Sequence, residues 1–232
     1  MNPPAPVLTA DGPVTLVGGG PVAAADLDRA LGLAPRLVAA DGGADRLDAL
    51  GRSPEAVIGD MDSISHETRA RLAPARLHEV AEQDSTDFEK CLTRIAAPLV
   101  LALGFTGGRI DHELSVFSVL ARHRARRCAV LGAEDAVLLA PPRLALDLAP
   151  GTRLSLFPLG EVTGRSRGLF WPIGGLRFHP LDQVGTSNRV TGPVELEFDA
   201  PRMLLILPAA DLSALLTALA RAPHWDPDCD AT

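Results

Sequence analysis

The N-terminal half of the chain repeats one pattern, in which a short apolar run leads into a loop rich in glycine or aspartate and then into a segment with helical periodicity. The clearest runs are VTLVGGGP (Val14 to Pro21), RLVAADGG (Arg36 to Gly43), VIGDMDS (Val57 to Ser63) and the run from Ala97 to Gly108. Alternating strands and helices are typical of a mostly parallel sheet that binds ligands at the carboxyl ends of its strands. The pattern predicts an α/β N-terminal domain with a mostly parallel, Rossmann-like sheet.

The pattern changes from about Ala136 onwards. Short apolar stretches are now separated by Gly, Pro, Asn and Asp, and no strong helical periodicity occurs before Leu212 to Ala220. Several short strands with such turn residues are typical of a sandwich or small barrel. We therefore predict two domains, an α/β domain over residues 1–138 and an all-β, sandwich- or barrel-like domain over residues 139–232.

Charge and hydropathy exclude two classes of partner. The formal net charge is −7, from 22 basic and 29 acidic residues, which argues against a surface that coats nucleic acid. The apolar run Ala96 to Phe105 is too short to span a bilayer, and the longer stretch near the C-terminus is interrupted by Pro208 and Asp211. We expect no nucleic-acid partner and no membrane segment.

The chain has three cysteines, Cys91, Cys128 and Cys229, which are widely spaced and form no CxxC pair. An odd number of separated cysteines favours reduced thiols over a disulfide framework or a zinc site. The N-terminus has neither a basic start nor the apolar core of a signal peptide. These features predict a cytoplasmic protein.

The segment VIGDMDS brings Asp60 and Asp62 two residues apart at the end of an apolar run. In an extended chain, side chains two apart point the same way, so both carboxylates can face one point. Magnesium is usually held by one or two carboxylates together with substrate phosphates. The alternative is a polar turn whose aspartates cap the next helix, for which Ser65 is a suitable N-cap.

The segment Asp41–Gly43 places a carboxylate and free backbone N–H groups at a predicted helix start. Such a helix start suits a phosphate or a ribose hydroxyl. Gly18, Gly20 and Ala23 also fit the G-x-G-x-x-A fingerprint of dinucleotide-binding proteins, with Asp41 near the position of the ribose-binding acid. A simple tight turn explains the glycines equally well.

A second helix start is predicted at Thr86, because Thr86 and Glu89 have the spacing of a capping box. Asp87 and Lys90, the only lysine in the chain, then fall together one turn apart. They could serve a metal–triphosphate group or form an ordinary surface ion pair. The predicted buried face of this helix consists of Phe88, Cys91, Leu92 and Ile95.

The glycine loop GFTGGRIDH frees the backbone for close approach to a ligand, and Arg109 follows it with a planar fork suited to phosphate. A long helix comes next, with Asp111 at the start of its polar stripe. His112 can be a surface residue or a ligand contact, and both alternatives remain open. The predicted apolar stripe consists of Ile110, Leu114, Phe117 and Ala121.

Taken together, the motifs AADGGADRL, VIGDMDS, EQDSTDFEKCL, GFTGGRIDH, GLFWPI and GTSN resemble those of the thiamine pyrophosphokinase (thiamin diphosphokinase) family, over most of residues 14–208. The resemblance implies transfer of the pyrophosphoryl group of Mg-ATP to the hydroxyl of thiamine, which gives thiamine diphosphate and AMP. It also implies a homodimer whose active sites lie between the subunits, with the β domain contributing the thiamine site and the dimer interface.

The resemblance also implies roles for individual residues. The Mg²⁺-associated carboxylates would be Asp60, Asp62 and Asp87. The ATP site would include Asp41, Gly42, Gly43, Thr86, Gly107 and Gly108, with Lys90, Arg109 and Asp111 beside the phosphates and the reaction centre. The thiamine site would include Gln83, Trp171, Ser187 and Asn188, with Trp171 stacking on the substrate from the partner subunit. Met61 and Ser85 depart from the family pattern without removing any of these ligands.

Three other functions are compatible with parts of the sequence. A dinucleotide-dependent oxidoreductase would use Gly18, Gly20 and Ala23 but leaves the acidic motifs unexplained. The second is a related pyrophosphokinase acting on a pterin alcohol, but Trp171 with Ser187 and Asn188 favours thiamine as the substrate. Without the family resemblance, Trp171 would be interpreted as a core aromatic of the β domain. A non-catalytic sensor of ATP or thiamine is the third.

Overall fold

The computed structural model describes residues 4–226. These residues divide into two compact units, one within Met1–Val119 and Val130–Ala133, the other within Leu120–Ala129 and Glu134–Thr232. Strands and helices both occur in the first unit, whereas strands predominate in the second.

The elements up to Leu131 alternate between strands and helices much as the sequence predicts. The strands are β1 (Leu8–Thr9), β2 (Val14–Val17), β3 (Arg36–Ala40), β4 (Ala56–Gly59), β5 (Leu77–Glu79), β6 (Ile95–Ala96), β7 (Val100–Leu103) and β8 (Cys128–Leu131). The helices are α1 (Ala24–Leu33), α2 (Gly43–Ala49), α3 (His66–Arg71), α4 (Asp87–Arg94) and α5 (Ile110–Arg122).

The strand pairs of the first unit are parallel. Strand β2 pairs with β7, β3 pairs with β4, and β4 pairs with β5. Parallel strands end at the same edge of a sheet, so the loops after β3 and β4, which carry Asp41 and Asp60, lie side by side. The presence of sheet and helix together is confirmed, whereas the finer description as Rossmann-like stays a prediction.

Two helices begin where the sequence predicts. The Ser65 hydroxyl accepts a 3.2 Å hydrogen bond from the Thr68 N–H at the start of α3, and the Thr86 hydroxyl accepts one of 3.3 Å from the Glu89 N–H at the start of α4. Each satisfies a backbone donor that the first turn leaves unpaired. The predicted inner face of α4 is confirmed, since Phe88, Cys91, Leu92 and Ile95 are all buried.

The predicted apolar stripe of α5 is wrong, because Phe117 and Ala121 are only partly buried and the other two residues are exposed. Ile110 is 67% exposed and Leu114 is 59% exposed, and the buried residues are Val116, Val119 and Leu120. The helix carries apolar residues at helical spacing on two faces, and periodicity alone does not distinguish them. The first turn of α5 also follows directly on an exposed glycine loop, residues 107–109, which leaves its side chains in solvent.

The second unit is built from antiparallel strands. Strand β15 pairs with β9 and β11, and β14 pairs with β10, β11 and β12. The strands are β9 (Asp135–Leu139), β10 (Arg143–Leu146), β11 (Arg153–Pro158), β12 (Val162–Leu169), β13 (Arg177–Phe178), β14 (Thr186–Phe198) and β15 (Met203–Pro208), and the final helix is α6 (Leu212–Arg221). The description of this unit as a sandwich- or barrel-like domain stays a prediction.

Two other sequence predictions concern membranes and cysteines. Within residues 4–226, no helix combines the length and the apolar character needed to cross a membrane. Cys91 and Cys128 are free thiols in the interior. Cys229 lies outside the described residues.

Candidate active site

Three aspartates from separate parts of the chain meet at one point. Asp41 follows β3, Asp60 follows β4, and Asp87 is the first residue of α4. One carboxylate oxygen of each lies within 4.8 Å of the others. Converging oxygen ligands of this kind are the donors that Mg²⁺ and similar hard cations prefer.

The ammonium group of Lys90 lies against two of these acids. Its Nζ donates hydrogen bonds to Asp60 Oδ2 at 2.9 Å and to Asp87 Oδ1 at 3.2 Å. Because the Lys90 side chain is only 2% exposed, this is not the surface ion pair that the sequence left open. Burial alone would lower the pKa of Lys90, but the bonds to both aspartates outweigh it and raise the pKa, so the ammonium stays charged.

The three acids differ in their electrostatic environment. The Lys90 hydrogen bond lowers the pKa of Asp60 to about 2. Burial raises the pKa of Asp87 despite the same lysine, and burial together with the neighbouring carboxylates raises that of Asp41 to about 6. Of the three acids, Asp41 is the one that receives no hydrogen bond from Lys90.

Asp62 lies beside this cluster. Its backbone N–H is 3.4 Å from Asp60 Oδ1, and its own Oδ1 accepts a 2.8 Å hydrogen bond from the Ser63 hydroxyl. Its carboxyl group contributes to the raised pKa of Asp41 and of Asp87, after the larger effect of burial. Asp62 is exposed and is not one of the three mutually close acids, so its role as a metal ligand stays a prediction.

The backbone around the cluster has an unusual conformation. Asp41 and Met61 have φ angles of 41° and 65°, and among the residues 4–226 they are the only non-glycine residues with positive φ. Such left-handed conformations are costly and tend to occur at functional sites. A Cβ atom on Gly59 would lie 2.7 Å from the Asp41 Cβ, so only glycine leaves room for Asp41 to turn inward there.

The donors present are suited to a divalent cation. Asp41 Oδ1 is buried and has no hydrogen-bond partner, while Asp41 Oδ2 accepts a 3.1 Å bond from the Ser63 N–H. Buried charges are normally paired or coordinate a metal. An unpartnered carboxylate oxygen pointing among other carboxylates therefore fits a bound cation.

A cleft of about 600 Å³ opens beside the acidic cluster. A volume of this size can accommodate a nucleotide-sized ligand. Its walls come from the two glycine loops after β2 and β7, the start of α4 and the first turns of α5. The lining residues include Gly18, Gly19, Gly20, Gly42, Arg46, Asp60, Gln83, Thr86, Asp87, Lys90, Gly104, Gly108, Arg109, His112 and Ser115.

Some residues predicted for ATP do not line this cleft. Gly43 is buried, and a Cβ atom there would lie 2.0 Å from the Val17 carbonyl oxygen, so it packs α2 against β2. Gly107 donates its N–H to Glu113 Oε2 at 3.0 Å. Asp111 accepts a 2.6 Å bond from Arg109, and the side chains of this pair are 72% (Arg109) and 62% (Asp111) exposed. Roles for these residues in ATP binding stay predictions.

The second unit presents the predicted stacking residue. Trp171 is 56% exposed, which excludes the core aromatic that the sequence left open, and its ring stands edge-on to Phe170 with centroids 4.7 Å apart. Buried Asn188 accepts the Trp171 N–H through Oδ1 at 3.1 Å and donates from Nδ2 to the Trp171 carbonyl at 2.6 Å. The Asn188 amide thus holds the Trp171 backbone, while Ser187 is exposed.

Comparison with known proteins shows what the chain is similar to. Residues 27–131 match the family model described as "Thiamin pyrophosphokinase, catalytic domain". The chain is similar to thiamine pyrophosphokinase 1 of Oryza sativa subsp. japonica, with 28% identity over 156 residues that cover 59% of each protein. For thiamine pyrophosphokinase 1 of Arabidopsis thaliana, the identity is 28% over 185 residues, which cover 65% of this chain and 69% of that protein.

Among solved structures, the chain is similar to the thiamin pyrophosphokinase of Geobacillus thermodenitrificans. The TM-score is 0.71 at 20% sequence identity, and the match covers 87% of this chain and 99% of that one. Residues 27–131 of this chain are thus similar to the catalytic domain of thiamin pyrophosphokinases. At 20% identity the structural likeness shows the fold alone, and the match to the rice protein spans less than two thirds of that protein's length.

Arg46 and Ser115 line the cleft although the sequence assigned them no role, and His112, which the sequence left open as a surface residue or a ligand contact, lines it as well. Arg46 projects from α2 and donates from Nε to the Gly19 carbonyl at 2.9 Å, which ties the first glycine loop to that helix. His112 and Ser115 lie one turn apart on α5. The spacing of Arg46 four residues after Gly42 could have indicated its position, since both would lie near one helix end.

Gln83, which the resemblance assigns to the thiamine site, contacts the acidic cluster. Its Nε2 donates a 3.1 Å hydrogen bond to Asp60 Oδ2, the same oxygen that Lys90 contacts. A role in thiamine binding stays a prediction for Gln83.

Proposed function

We propose that this protein is a thiamine diphosphokinase, which transfers the pyrophosphoryl group of Mg-ATP to the hydroxyl of thiamine and releases AMP. The observation that carries the proposal is the buried contact of Lys90 with Asp60 and Asp87 at the wall of a glycine-lined cleft. Phosphoryl-type transfer depends on charge neutralisation and positioning more than on covalent chemistry by the protein. The similarity of residues 27–131 to the catalytic domain of thiamin pyrophosphokinases supports the same reaction.

Asp60, Asp62 and Asp87 would hold the magnesium ion in this reaction. When bound, magnesium neutralises phosphate charge and orients the transferred group. Lys90 has a fixed position beside Asp60 and Asp87, so its ammonium can stabilise negative charge that develops on the transferred phosphates.

The remaining cleft residues would bind the nucleotide. Gly42 and Gly108 line the cleft without side chains, which allows close approach of phosphate, and Thr86 stands at the N-terminus of α4. Arg109 offers a planar fork for phosphate oxygens at the cleft wall. The resemblance would also place Asp41, Gly43, Gly107 and Asp111 on the ATP side of the site.

Thiamine would be recognised by Gln83, Trp171, Ser187 and Asn188. Thiamine is cationic and aromatic, so the exposed indole of Trp171 can offer stacking and cation–π contact. The Asn188 amide supports this by fixing the Trp171 backbone. We further propose a homodimer with active sites between subunits, in which Trp171 acts on the partner's site.

The wider assignments follow from the same proposal. Residues 1–138 would form the Rossmann-like catalytic domain that binds ATP and magnesium, and residues 139–232 the sandwich- or barrel-like domain with the thiamine site and dimer interface. The expected compartment is the cytoplasm, where ATP and reduced thiols coexist.

The test is to incubate the purified protein with Mg-ATP and thiamine and to separate nucleotides and thiamine species by chromatography. We expect AMP and thiamine diphosphate in equal amounts. ADP with thiamine monophosphate would replace the proposed reaction with a simple phosphoryl transfer. Binding of thiamine without turnover would favour a non-catalytic sensor. Turnover of a pterin alcohol in place of thiamine would favour a related pyrophosphokinase, and binding of NAD would favour an oxidoreductase.

A further inference from the structure

Asp41 does not occupy the position expected of a carboxylate that hydrogen-bonds the ribose of a nucleotide. A ribose hydroxyl has to reach the carboxylate from the ligand cleft. Asp41 is only 1% exposed, and it is absent from the cleft lining although its neighbours Ala40 and Gly42 are part of it. The side chain therefore points from the strand end into the protein and not towards the nucleotide space.

The two oxygens of Asp41 have different surroundings. Oδ2 accepts the Ser63 N–H at 3.1 Å, whereas Oδ1 is buried and receives no hydrogen bond from any residue between 4 and 226. A buried carboxylate oxygen without a donor is costly unless a cation compensates it. Asp41 Oδ1 therefore requires a positive partner that the described protein groups do not provide.

Lys90 does not act as that partner. Its hydrogen bonds go to Asp60 Oδ2 and Asp87 Oδ1. Asp41, Asp60 and Asp87 nevertheless each present an oxygen within 4.8 Å of the others. One ammonium therefore faces a cluster of at least three carboxylates, and the side of the cluster at Asp41 carries the uncompensated charge.

The backbone holds Asp41 in this orientation. Its φ of 41° lies in the left-handed region, and the missing Cβ of Gly59 on the neighbouring strand makes room for its side chain. Strained, tightly packed positions persist where the surroundings determine them fully. The inward orientation of Asp41 is thus fixed before any ligand binds.

We propose that Asp41 is an inner ligand of the divalent cation, through Oδ1, together with Asp60 and Asp87. This inference rests on the proposed function only for the identity of the cation as the magnesium that accompanies ATP. It reassigns Asp41 from the nucleotide to the metal centre, and it leaves Asp62 as an additional, solvent-side acid.

The test uses Mn²⁺ as a probe in the absence of nucleotide, with free Mn²⁺ measured by electron paramagnetic resonance. We expect Asp41→Asn to weaken Mn²⁺ binding by about tenfold or more, as loss of a metal-site partner does. Asp60→Asn is the positive control. Asp11→Asn, which removes an exposed acid from the loop before β2, is the matched control and should bind Mn²⁺ as the unmodified protein does.

Thermal melting gives a second readout that activity does not influence. Asp41→Asn removes an uncompensated charge, so the metal-free variant should melt above the metal-free unmodified protein. At the same Mg²⁺ concentration, the melting temperature should rise clearly less for Asp41→Asn than for the unmodified protein and for Asp11→Asn. A variant with a merely structural defect would instead melt lower with and without Mg²⁺.

Unchanged Mn²⁺ binding by Asp41→Asn, together with weaker binding of metal-free AMP, would return Asp41 to the nucleotide and overturn the inference. Absence of Mn²⁺ binding by the unmodified protein would overturn it too. If Asp41→Asn does not fold, the anomalous signal of Mn²⁺ in crystals of the unmodified protein decides, because the ion must lie within bonding distance of Asp41 Oδ1. Metal binding that depends on Asp41 without thiamine turnover would contradict the proposed function and leave this inference standing.

Discussion

Lys90 donates a 2.9 Å hydrogen bond from Nζ to Asp60 Oδ2, although the two residues lie 30 positions apart. The Lys90 side chain is 2% exposed and that of Asp60 is 12% exposed. Removing one partner of such a buried pair leaves the other charge without compensation. This lowers the stability of the protein more than replacing both partners by apolar residues does. Lys90 therefore connects the stability of the cluster with its chemistry.

Replacement of Lys90 by methionine should affect both properties. We expect Lys90→Met to lower the free energy of unfolding of the metal-free protein by about 3 kcal/mol or more, because Asp60 and Asp87 lose their buried cation. Turnover should fall by about 10²-fold or more, the scale for loss of a preorganised charged group. Denaturant unfolding and steady-state AMP production measure the two effects.

The matched control for Lys90→Met is Arg69→Met, which removes a cation from the exposed face of α3. Its stability and turnover should stay close to those of the unmodified protein, since surface charges contribute little. Magnesium should restore part of the lost stability in Lys90→Met, because a bound cation offsets the same carboxylates. An unfolding midpoint unchanged by Lys90→Met would contradict the importance of the buried pair.

Replacing Asp60 or Asp62, the two acids of the GDMDS loop, should lower turnover in both cases but stability in only one. We expect Asp60→Ala and Asp62→Ala each to lower turnover by about 10²-fold or more, because each removes a proposed metal-associated carboxylate. Only Asp60→Ala should also destabilise the protein, since Asp60 pairs with Lys90 whereas Asp62 is exposed. The measurements are AMP production at saturating substrates and thermal melting.

Asp11→Ala serves as the control for those two variants, because Asp11 is an exposed acid outside the cleft and its loss should leave turnover unchanged. Near-normal turnover in both Asp60→Ala and Asp62→Ala would refute the metal assignment for this loop.

The sequence predicts α4 and its active-site face well because the signals are local. The Thr86 cap lies within one turn, and the buried residues recur at helical spacing. The pairing of Asp87 with Lys90 follows from the same geometry, since side chains three apart on a helix are neighbours. Short-range physics of this kind can be read without knowing the rest of the fold.

Other features depend on contacts between distant segments. The meeting of Asp41 with Asp60 and Asp87 requires the register of β3 against β4 and the packing of α4, which a sequence pattern does not specify. The exposure of Ile110 and Leu114 has the same origin, because α5 offers two apolar faces and tertiary packing selects one. The contact of the Asn188 amide with the Trp171 backbone, 17 positions away, is likewise a long-range feature, and a thiamine contact of Asn188 stays a prediction.

Trp171 provides a test of the thiamine site. We expect Trp171→Ala to raise the KM for thiamine more than the KM for ATP, because the exposed indole is proposed to stack on the cationic ring. Phe157→Ala is the control, since Phe157 is another partly exposed aromatic of the second unit with no proposed role. Small, equal changes in both KM values for Trp171→Ala would identify a structural tryptophan.

Asp45 should stabilise the junction between α2 and α3 in a pH-dependent way. Its Oδ2 accepts the Ser65 N–H at 2.9 Å and its Oδ1 accepts the Ser65 hydroxyl at 2.5 Å. Burial alone would raise the pKa of Asp45, but the hydrogen bonds from Ser65 and Thr68 outweigh burial and lower it. A carboxylate with a depressed pKa stabilises the folded state above its unfolded pKa, and this stabilisation is lost as the pH falls through the folded pKa.

We therefore expect Asp45→Ala to lower the free energy of unfolding by about 1 kcal/mol or more at pH 7, the scale for loss of hydrogen bonds to a charged group. The difference from the unmodified protein should narrow as the pH falls below about 4, the ordinary range for aspartate, because protonation removes the same charged acceptor from the unmodified protein. Denaturant unfolding at pH 7 and at acid pH measures this difference.

Asp48→Ala on the same helix is the control, since its partner Arg71 is exposed and a surface pair of this kind contributes little. An equal loss of stability at both pH values would show that Asp45 acts by packing and not through its charge.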